Sequence, residues 1–232
     1  MRATAVIVAA GEGRRLGAPI AKSFLPIAGR PLVLHTLDRF FSTQSIEKVI
    51  LVVAGNELRQ SQALIEADPN LSHRPWILQA GGASRQESVR CGLEKLESDC
   101  EIVAIHDGAR PFVSASLIDR CVAEAYRTDA VVVGVPAKDT IKVVSPEHWV
   151  QSTPARQTLW AIQTPQVFRK EIIVAAHDRG MREAIKATDD AMLVERIGRP
   201  VFVLEGERTN IKITVPQDIL LAEALLRDGR LP

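Results

Sequence analysis

Residues 4–17 read Thr-Ala-Val-Ile-Val-Ala-Ala-Gly-Glu-Gly-Arg-Arg-Leu-Gly. The apolar, β-branched run Thr4–Ala10 predicts a buried strand. The glycines that follow it predict a tight turn whose backbone N–H groups can bind an anion. Arg15 and Lys22 add positive charge beside that turn, so we interpret the segment as a polyphosphate-binding loop at the end of a strand.

The spacing of these glycines argues against two common nucleotide-binding motifs. A dinucleotide fingerprint needs its third glycine at position 16, where Leu16 stands, and this disfavours a dehydrogenase. A Walker A loop needs a Gly-Lys-Ser/Thr sequence, which the chain lacks. The alternative that stays open is a purely structural glycine turn with solvated basic residues.

The remaining sequence alternates between apolar strands and amphipathic helices. Continuous apolar strands separated by helices predict a parallel sheet covered on both faces, and right-handed crossovers give a doubly wound α/β fold. Ligands of such folds bind beyond the carboxyl ends of the strands. The predicted strands are Thr4–Ala10, Lys48–Val53, Pro75–Gln79, Glu101–His106, Ala130–Pro136, Val201–Glu205 and Ile211–Thr214. The predicted helices are Pro31–Phe41, Glu57–Ala67, Ser84–Leu96, Ser114–Tyr126, Lys170–Asp178, Asp189–Ile197 with Thr188 as its N-cap, and Pro216–Leu226.

Residues 138–163 interrupt this alternation. Turn residues lie between two stretches of strand-like character, which predicts a β-hairpin arm on the α/β body. Because an isolated hairpin is marginally stable in water, apolar arm residues such as Trp149 and Trp160 need a surface to pack on. We favour a second subunit as that surface, with the body of the same chain as the alternative. The expected organisation is one domain over residues 1–232 that includes this arm.

Composition narrows the class of protein. The formal net charge of +1 and the 46% apolar and 25% charged residues are typical of a globular protein and disfavour a disordered chain or a nucleic-acid binder. The apolar runs are only strand-sized, so we expect no membrane span and no signal peptide. Cys91, Cys100 and Cys121 are widely spaced, which disfavours disulfides or a zinc site and favours a reducing, cytoplasmic compartment.

Two further loops follow predicted strands at the same edge of the sheet. Gly81 and Gly82 allow a flat base to approach the backbone, and Ser88 offers a hydroxyl; a strand-to-helix turn capped by Ser84 is the alternative. Residues 106–111 read His-Asp-Gly-Ala-Arg-Pro. There Asp107 suits Mg²⁺ or a substrate hydroxyl and Arg110 a phosphate, whereas His106 is either a general base or, as we favour, structural.

Together these motifs resemble the 2-C-methyl-D-erythritol 4-phosphate cytidylyltransferases of the non-mevalonate isoprenoid pathway. The resemblance covers almost the whole chain. It implies a Rossmann-like sheet of the nucleotidyltransferase type and a homodimer formed through the arm. It also implies transfer of CMP from CTP, with Mg²⁺, to the phosphate of a small sugar alcohol, and release of pyrophosphate.

The resemblance also implies roles for individual residues. The triphosphate is held by the glycine loop, Arg15 and Lys22, and Arg156 and Lys212 aim the attacking oxygen. The partner's arm brings in Thr140 and Arg156. Apart from the resemblance, the position of Asp107 at the end of a predicted strand makes it the candidate metal ligand. The nucleotide-binding set is Ala9, Ala10, Gly11, Glu12, Gly13, Gly81, Gly82 and Ser88, and the sugar-phosphate set is Asp107, Arg110, Thr140, Arg156, Thr164 and Lys212.

Two alternative functions stay open, and the sequence departs from the pattern of the family at two positions. A ribitol 5-phosphate cytidylyltransferase is closely similar, but Ala9-Ala10-Gly11 and Gly108-Ala109 favour methylerythritol phosphate. A non-catalytic nucleotide-binding module is disfavoured because it needs no second set of phosphate-binding cations. Gly108 stands where the family more often has Ala, and Ala83 where some members have Asp, which puts one ribose contact in doubt.

Overall fold

A computed structural model describes residues 2–11 and 24–227 of the chain. The strands are β1 (Ala3–Val8), β2 (Pro26–Ile27), β3 (Arg30–Pro31), β4 (Ile46–Val53), β5 (Trp76–Ala80), β6 (Ile102–Asp107), β7 (Ala130–Pro136), β8 (Val143–Val144), β9 (Val150–Ser152), β10 (Trp160–Arg169) and β11 (Phe202–Glu205). The helices are α1 (Leu32–Phe41), α2 (Leu58–Ala67), α3 (Arg85–Leu93), α4 (Ala115–Thr128), α5 (Lys170–Arg182), α6 (Asp190–Arg196) and α7 (Pro216–Arg227).

Seven of the strands form one sheet in the order β11-β7-β10-β6-β1-β4-β5. All neighbouring pairs are parallel except the two that involve β10, which lies antiparallel between β6 and β7. The predicted mostly parallel, doubly wound α/β fold is therefore confirmed. The order reverses across β1 and β6, which is where ligands bind in such sheets.

Helices pack on both faces of the sheet, and successive strand residues point to opposite faces. On β1, Ala5 and Ile7 pack with α1, α2 and α4, whereas Val6 packs with α3, α5 and α6. All three of these strand residues are fully buried. This two-sided core explains the continuous apolar runs in the sequence and fixes the strand ends that carry the candidate site.

Two local predictions were wrong. No strand forms over Ile211–Thr214, where the backbone is irregular and the buried Ile213 donates one N–H bond, of 2.9 Å, to the Ala109 carbonyl. The N-cap of α6 is Asp189 rather than Thr188, because the extended Asp189 places its carboxylate on the Met192 N–H at 3.0 Å.

The arm carries a hairpin of its own. Strands β8 and β9 form a separate antiparallel sheet, and the first residues of β10 pair with the end of β7. Its apolar side chains face outward in the single chain, with 76% of Trp149 and 59% of Val150 exposed. The arm thus presents an apolar surface that the body of the same chain does not cover.

No helix within residues 2–11 and 24–227 is long and apolar enough to cross a membrane.

Candidate active site

Three loops meet at one edge of the sheet because their strands run side by side. The loop that follows β1 is attached to β4 by a 2.7 Å bond from the Ala9 N–H to the Val52 carbonyl. Gly108, which follows β6, donates its N–H to the Val8 carbonyl at 2.9 Å. Gly81, which follows β5, donates to the Val53 carbonyl at 2.8 Å. The structure thus brings together the three loops that the sequence placed at the carboxyl ends of strands.

The Gly81 loop packs directly against the first loop. A Cβ atom on Gly81 would lie 2.7 Å from the Ala10 Cβ and 2.6 Å from the Ser88 Oγ, so only glycine fits. The Ser88 hydroxyl accepts the Gly82 N–H at 3.2 Å and donates to the Ser84 carbonyl at 2.9 Å. Ser84 caps α3 by accepting the Glu87 N–H. Ser88 therefore shapes this loop through its backbone.

A cavity of about 270 Å³ opens beside these loops, toward β10. Its walls carry both cations and carboxylates, together with the amide and hydroxyl groups of β10. The lining residues are Arg85, Asp107, Arg110, Ile162, Gln163, Thr164, Gln166, Thr188, Asp189 and Lys212.

Two of the cations that line the cavity contact the carboxylate of Asp107. Its Oδ1 accepts the Arg85 Nε at 2.9 Å and its Oδ2 lies 2.7 Å from the Lys212 Nζ. Burial on its own would raise the pKa of Asp107, but the charges of Arg85 and Lys212 outweigh burial and hold that pKa well below its usual range. The carboxylate is therefore ionised at neutral pH.

Arg85 is shared between two carboxylates. While its Nε binds Asp107, its Nη1 donates to the Asp190 Oδ2 at 2.8 Å. The other Asp190 oxygen accepts the His177 Nε2–H at 3.1 Å, and both Asp190 and His177 are buried. The side-chain oxygen of Gln166 accepts the Asp190 N–H at 3.0 Å, which attaches the start of α6 to β10. The Arg85 side chain is thus held by two carboxylates, one of which is itself hydrogen-bonded to His177.

Thr164 and Arg110 are fixed by the backbone around them. The register of β10 against β7 shifts between Gln163 and Gln166, so the Thr164 carbonyl accepts the Asn210 Nδ2 at 2.9 Å. Arg110 donates from Nη1 to the Asn210 carbonyl at 2.8 Å, and its Nε lies 3.8 Å from the Asp107 Oδ2. Both residues line the cavity.

His106 is buried and lies next to Asp107. Burial lowers its pKa to about 4, and both ring nitrogens take part in hydrogen bonds, to Thr164 and to the Arg110 carbonyl. This environment favours the structural interpretation of His106 over that of a general base.

The described residues do not fit a protein-built metal site. Both oxygens of Asp107, the candidate ligand, are taken up by Arg85 and Lys212. Between residues 2 and 11 and from 24 to 227, no group of three His, Cys, Asp or Glu residues could hold an ion. Arg85 and Lys212 would compete with a divalent cation for the Asp107 carboxylate.

Only some of the predicted site residues line the cavity. Asp107, Arg110, Thr164 and Lys212 converge on the cavity. Thr140 and Arg156 are exposed on the arm and do not line it, and Arg156 donates to the Lys138 carbonyl at 3.2 Å. Predictions for Glu12, Gly13, Arg15 and Lys22 lie outside the described residues. Sequence reasoning assigned no role to Arg85, Gln166 and Asp190, although each of them follows or lies near a recognised motif.

Comparison with known proteins shows the family of this chain. A family model described as 2-C-methyl-D-erythritol 4-phosphate cytidylyltransferase matches residues 3–228. A relative of that name from Caldanaerobacter subterraneus is 44% identical over 227 residues, which cover 98% of this chain and 100% of the relative. A second, from Desulforamulus reducens, is 43% identical over 96% of this chain and 95% of its own length.

Solved structures agree with these sequence matches. The 4-diphosphocytidyl-2C-methyl-D-erythritol synthase of Anaerococcus prevotii superimposes with a TM-score of 0.87 at 32% identity, over 97% of this chain and 96% of the other. The 2-C-methyl-D-erythritol 4-phosphate cytidylyltransferase of Thermus thermophilus gives a TM-score of 0.80 at 35% identity, over 98% of this chain and all of the other.

Proposed function

Since this chain belongs to the 2-C-methyl-D-erythritol 4-phosphate cytidylyltransferase family, we propose that its site works by direct attack of a substrate phosphate on CTP. The chain is a nucleotidyltransferase of isoprenoid precursor biosynthesis: it transfers CMP from CTP to 2-C-methyl-D-erythritol 4-phosphate. The products are 4-diphosphocytidyl-2-C-methyl-D-erythritol and pyrophosphate. The observation that carries the mechanism is the convergence of Arg85, Arg110 and Lys212 on the single carboxylate of Asp107.

The reaction needs positive charge more than it needs a base. An oxygen of the sugar phosphate is already an anion at neutral pH; it forms a bond to the α-phosphorus of CTP while the bond from that phosphorus to pyrophosphate breaks. Mutual repulsion of two phosphates is the main obstacle, and fixed cations lower it. This requirement agrees with a cavity rich in arginine and lysine in which His106 is neutral and buried.

The two substrates occupy different parts of the site. The backbone loops of residues 9–13 and Gly81–Gly82 accept the nucleotide, with Ser88 holding the second loop in shape. Arg15 and Lys22 bind the triphosphate. The cavity beside Asp107, Arg110, Thr164 and Lys212 takes the sugar phosphate, and Lys212 lies where it can aim the attacking oxygen.

A second subunit completes the cavity. In the single chain Arg85 and Lys212 are already paired with Asp107 and Asp190, and Arg110 is the other cation among the described residues that line the cavity, so a phosphate dianion would gain from a further cation. Arg156 and Thr140 of a partner's arm are the candidates. The exposed apolar side chains of the arm support a homodimer, because a dimer would bury them; they are Ile141, Val143, Val144, Trp149, Val150, Trp160 and Ile162.

Mg²⁺ enters with CTP in this proposal. The oxygens of the triphosphate supply its ligands, since both Asp107 oxygens are engaged by cations. When bound, such an ion neutralises phosphate charge. We also propose a cytoplasmic location, supported by Cys91, Cys100 and Cys121, which are free thiols.

Pyrophosphate release tests this function and its alternatives. The purified protein is incubated with CTP and Mg²⁺ and with each acceptor in turn, methylerythritol phosphate or ribitol 5-phosphate. We expect rapid release with the first acceptor and at least a hundredfold slower release with the second. Preference for ribitol 5-phosphate would identify the alternative enzyme, and binding of CTP without any release would identify a nucleotide-binding module.

A further inference from the structure

A short chain of hydrogen bonds runs beside the cavity through His106. The Nε2 atom of His106 lies 3.0 Å from the Arg110 carbonyl oxygen. A carbonyl oxygen can only accept, so this contact requires a proton on Nε2. The ring also packs against Phe40, with centroids 4.8 Å apart, which fixes its plane.

The proton on Nε2 determines the direction of the next bond. A neutral imidazole carries a single N–H, so Nδ1 of His106 presents a lone pair. The Thr164 hydroxyl lies 3.0 Å from Nδ1 and must therefore donate to it. His106 is fully buried, and burial lowers its pKa to about 4 although the hydrogen bond to the Arg110 carbonyl and the charge of Asp107 act in the opposite direction, so the ring is neutral at physiological pH.

The series of hydrogen bonds ends at Asp107. The Thr164 oxygen, whose proton points to His106, accepts the backbone N–H of Asp107 at 3.1 Å. Thr164 is 5% exposed and lines the cavity. Its only hydroxyl proton is thus committed to the protein, and what the hydroxyl retains is a lone pair.

We propose that His106 is a positioning residue for the acceptor half of the site, which as the Nε2–H tautomer restricts Thr164 to accepting a hydrogen bond from the sugar phosphate. A phosphate oxygen without a proton cannot form that bond, whereas a hydroxyl of the polyol chain can. Thr164 therefore recognises the polyol and leaves the phosphate to Arg110 and Lys212. This inference rests on the proposed function, because it assumes that the cavity takes the sugar phosphate.

The tautomer can be measured without any activity. Nitrogen-15 NMR of the wild-type protein, with the His106 signals assigned by their loss in His106→Phe, distinguishes the two ring nitrogens. We expect Nε2 to be protonated and Nδ1 to be bare from pH 5 to pH 8, both without ligand and with methylerythritol phosphate. A proton on Nδ1 in either state would overturn the proposal.

Kinetics separate positioning from general destabilisation. We expect His106→Phe and Thr164→Val each to raise the KM for methylerythritol phosphate about tenfold, the effect of roughly one hydrogen bond, and to leave the KM for CTP within about threefold. Thr164→Ser restores the hydroxyl and the wild-type KM, and His73→Phe, at an exposed histidine, is the matched control. An equal rise in both KM values, or no rise in either, would contradict the proposal.

A double-mutant cycle tests whether the two residues act as one unit. Because the effect of His106 passes through Thr164, the double variant should raise the KM no more than either single variant does. A hundredfold rise, the product of two independent effects, would overturn the inference. Failure of the proposed function gives a different result, because pyrophosphate release would then be absent in the wild type itself.

Discussion

Nζ of Lys212 lies 2.7 Å from the Oδ2 of Asp107, and the two residues come from chain segments more than a hundred positions apart. Asp107 holds Lys212 at the wall of the cavity, where under the proposed function the phosphate of the substrate binds. Under that proposal the substrate phosphate replaces Asp107 as the partner of Lys212. The cost of ordering a long lysine side chain is thus met in the free protein.

Replacement of Lys212 tests its part in the reaction. Lys212→Met keeps the length of the side chain and removes its charge, so stabilisation of the attacking phosphate is lost. We expect kcat/KM to fall about 10²–10³-fold. Lys186→Met, at an exposed lysine, should leave the rate unchanged. Circular dichroism shows whether both variants are folded. If they are folded and their rates are comparable, Lys212 has no part in the reaction.

Asp107 gives the fold a dependence on pH. Its pKa is lower in the folded chain than the usual value of about 3.9, so its ion pairs contribute fully above that value and are lost as the pH falls through the folded pKa. Asp107→Asn should lower the free energy of unfolding at pH 7 by on the order of 1–3 kcal/mol, and this gap should narrow toward pH 3. Urea titrations at both pH values measure it.

The matched control for this experiment is Asp178→Asn, at an exposed position on α5. Its stability should differ little from that of the wild type at either pH. A gap for Asp107→Asn that stays constant from pH 7 to pH 3 would show that Arg85 and Lys212 do not lower the pKa of Asp107 in the folded chain.

Gly81 tests the nucleotide side of the site. A methyl group at this position would meet the Ser88 Oγ at 2.6 Å and the Ala10 Cβ at 2.7 Å, so Gly81→Ala must push the two loops apart. We expect the KM for CTP to rise at least tenfold, with a smaller effect on the KM for the acceptor. At Gly55 no atom lies within 4 Å of an added Cβ, and Gly55→Ala is therefore the control. Unchanged CTP binding in Gly81→Ala would refute the loop assignment.

Arg156 tests whether the arm acts on a neighbouring subunit. Arg156→Ala and Lys212→Met should each be nearly inactive alone. Mixed dimers of the two variants contain one site with both side chains intact if Arg156 reaches across the interface. Mixing after mild dissociation should therefore restore about a quarter of wild-type activity, since half of the dimers are mixed and each has one working site. No recovery, with mixed dimers present by native mass spectrometry, would mean that Arg156 serves its own chain or none.

Periodicity predicted β1, β4 and β6 well because a strand between two layers of helices is apolar on both faces. It predicted no strand over residues 164–169, although β10 runs through them in the main sheet. Ala130–Pro136 has the same bounds in the prediction and in the structure. The Lys212 segment was mistaken for a strand because Ile211 and Ile213 alternate with polar neighbours, whereas the backbone there makes a single bond to the Ala109 loop. Alternation along the sequence cannot distinguish a strand that pairs along its length from a segment held by one backbone hydrogen bond.

The candidate site was predictable where a loop follows a strand and not where distant side chains pair. Asp107 and Arg110 could be placed because one motif contains both, at the end of β6 and just after it. The pairing of Arg85 with Asp190 depends on how α3 and α6 pack, which spacing along the chain does not encode. The direction of the Thr164 hydroxyl depends on one proton of His106, and only the three-dimensional contacts determine it.

The fate of a labelled oxygen tests the central claim most directly. Methylerythritol phosphate carrying oxygen-18 in its phosphate is incubated with CTP, Mg²⁺ and the wild-type protein, and the products are followed by phosphorus-31 NMR. Direct attack on the α-phosphorus predicts one labelled oxygen bridging the two phosphorus atoms of the product and pyrophosphate without label. Label in the pyrophosphate, or no pyrophosphate at all, would contradict the account.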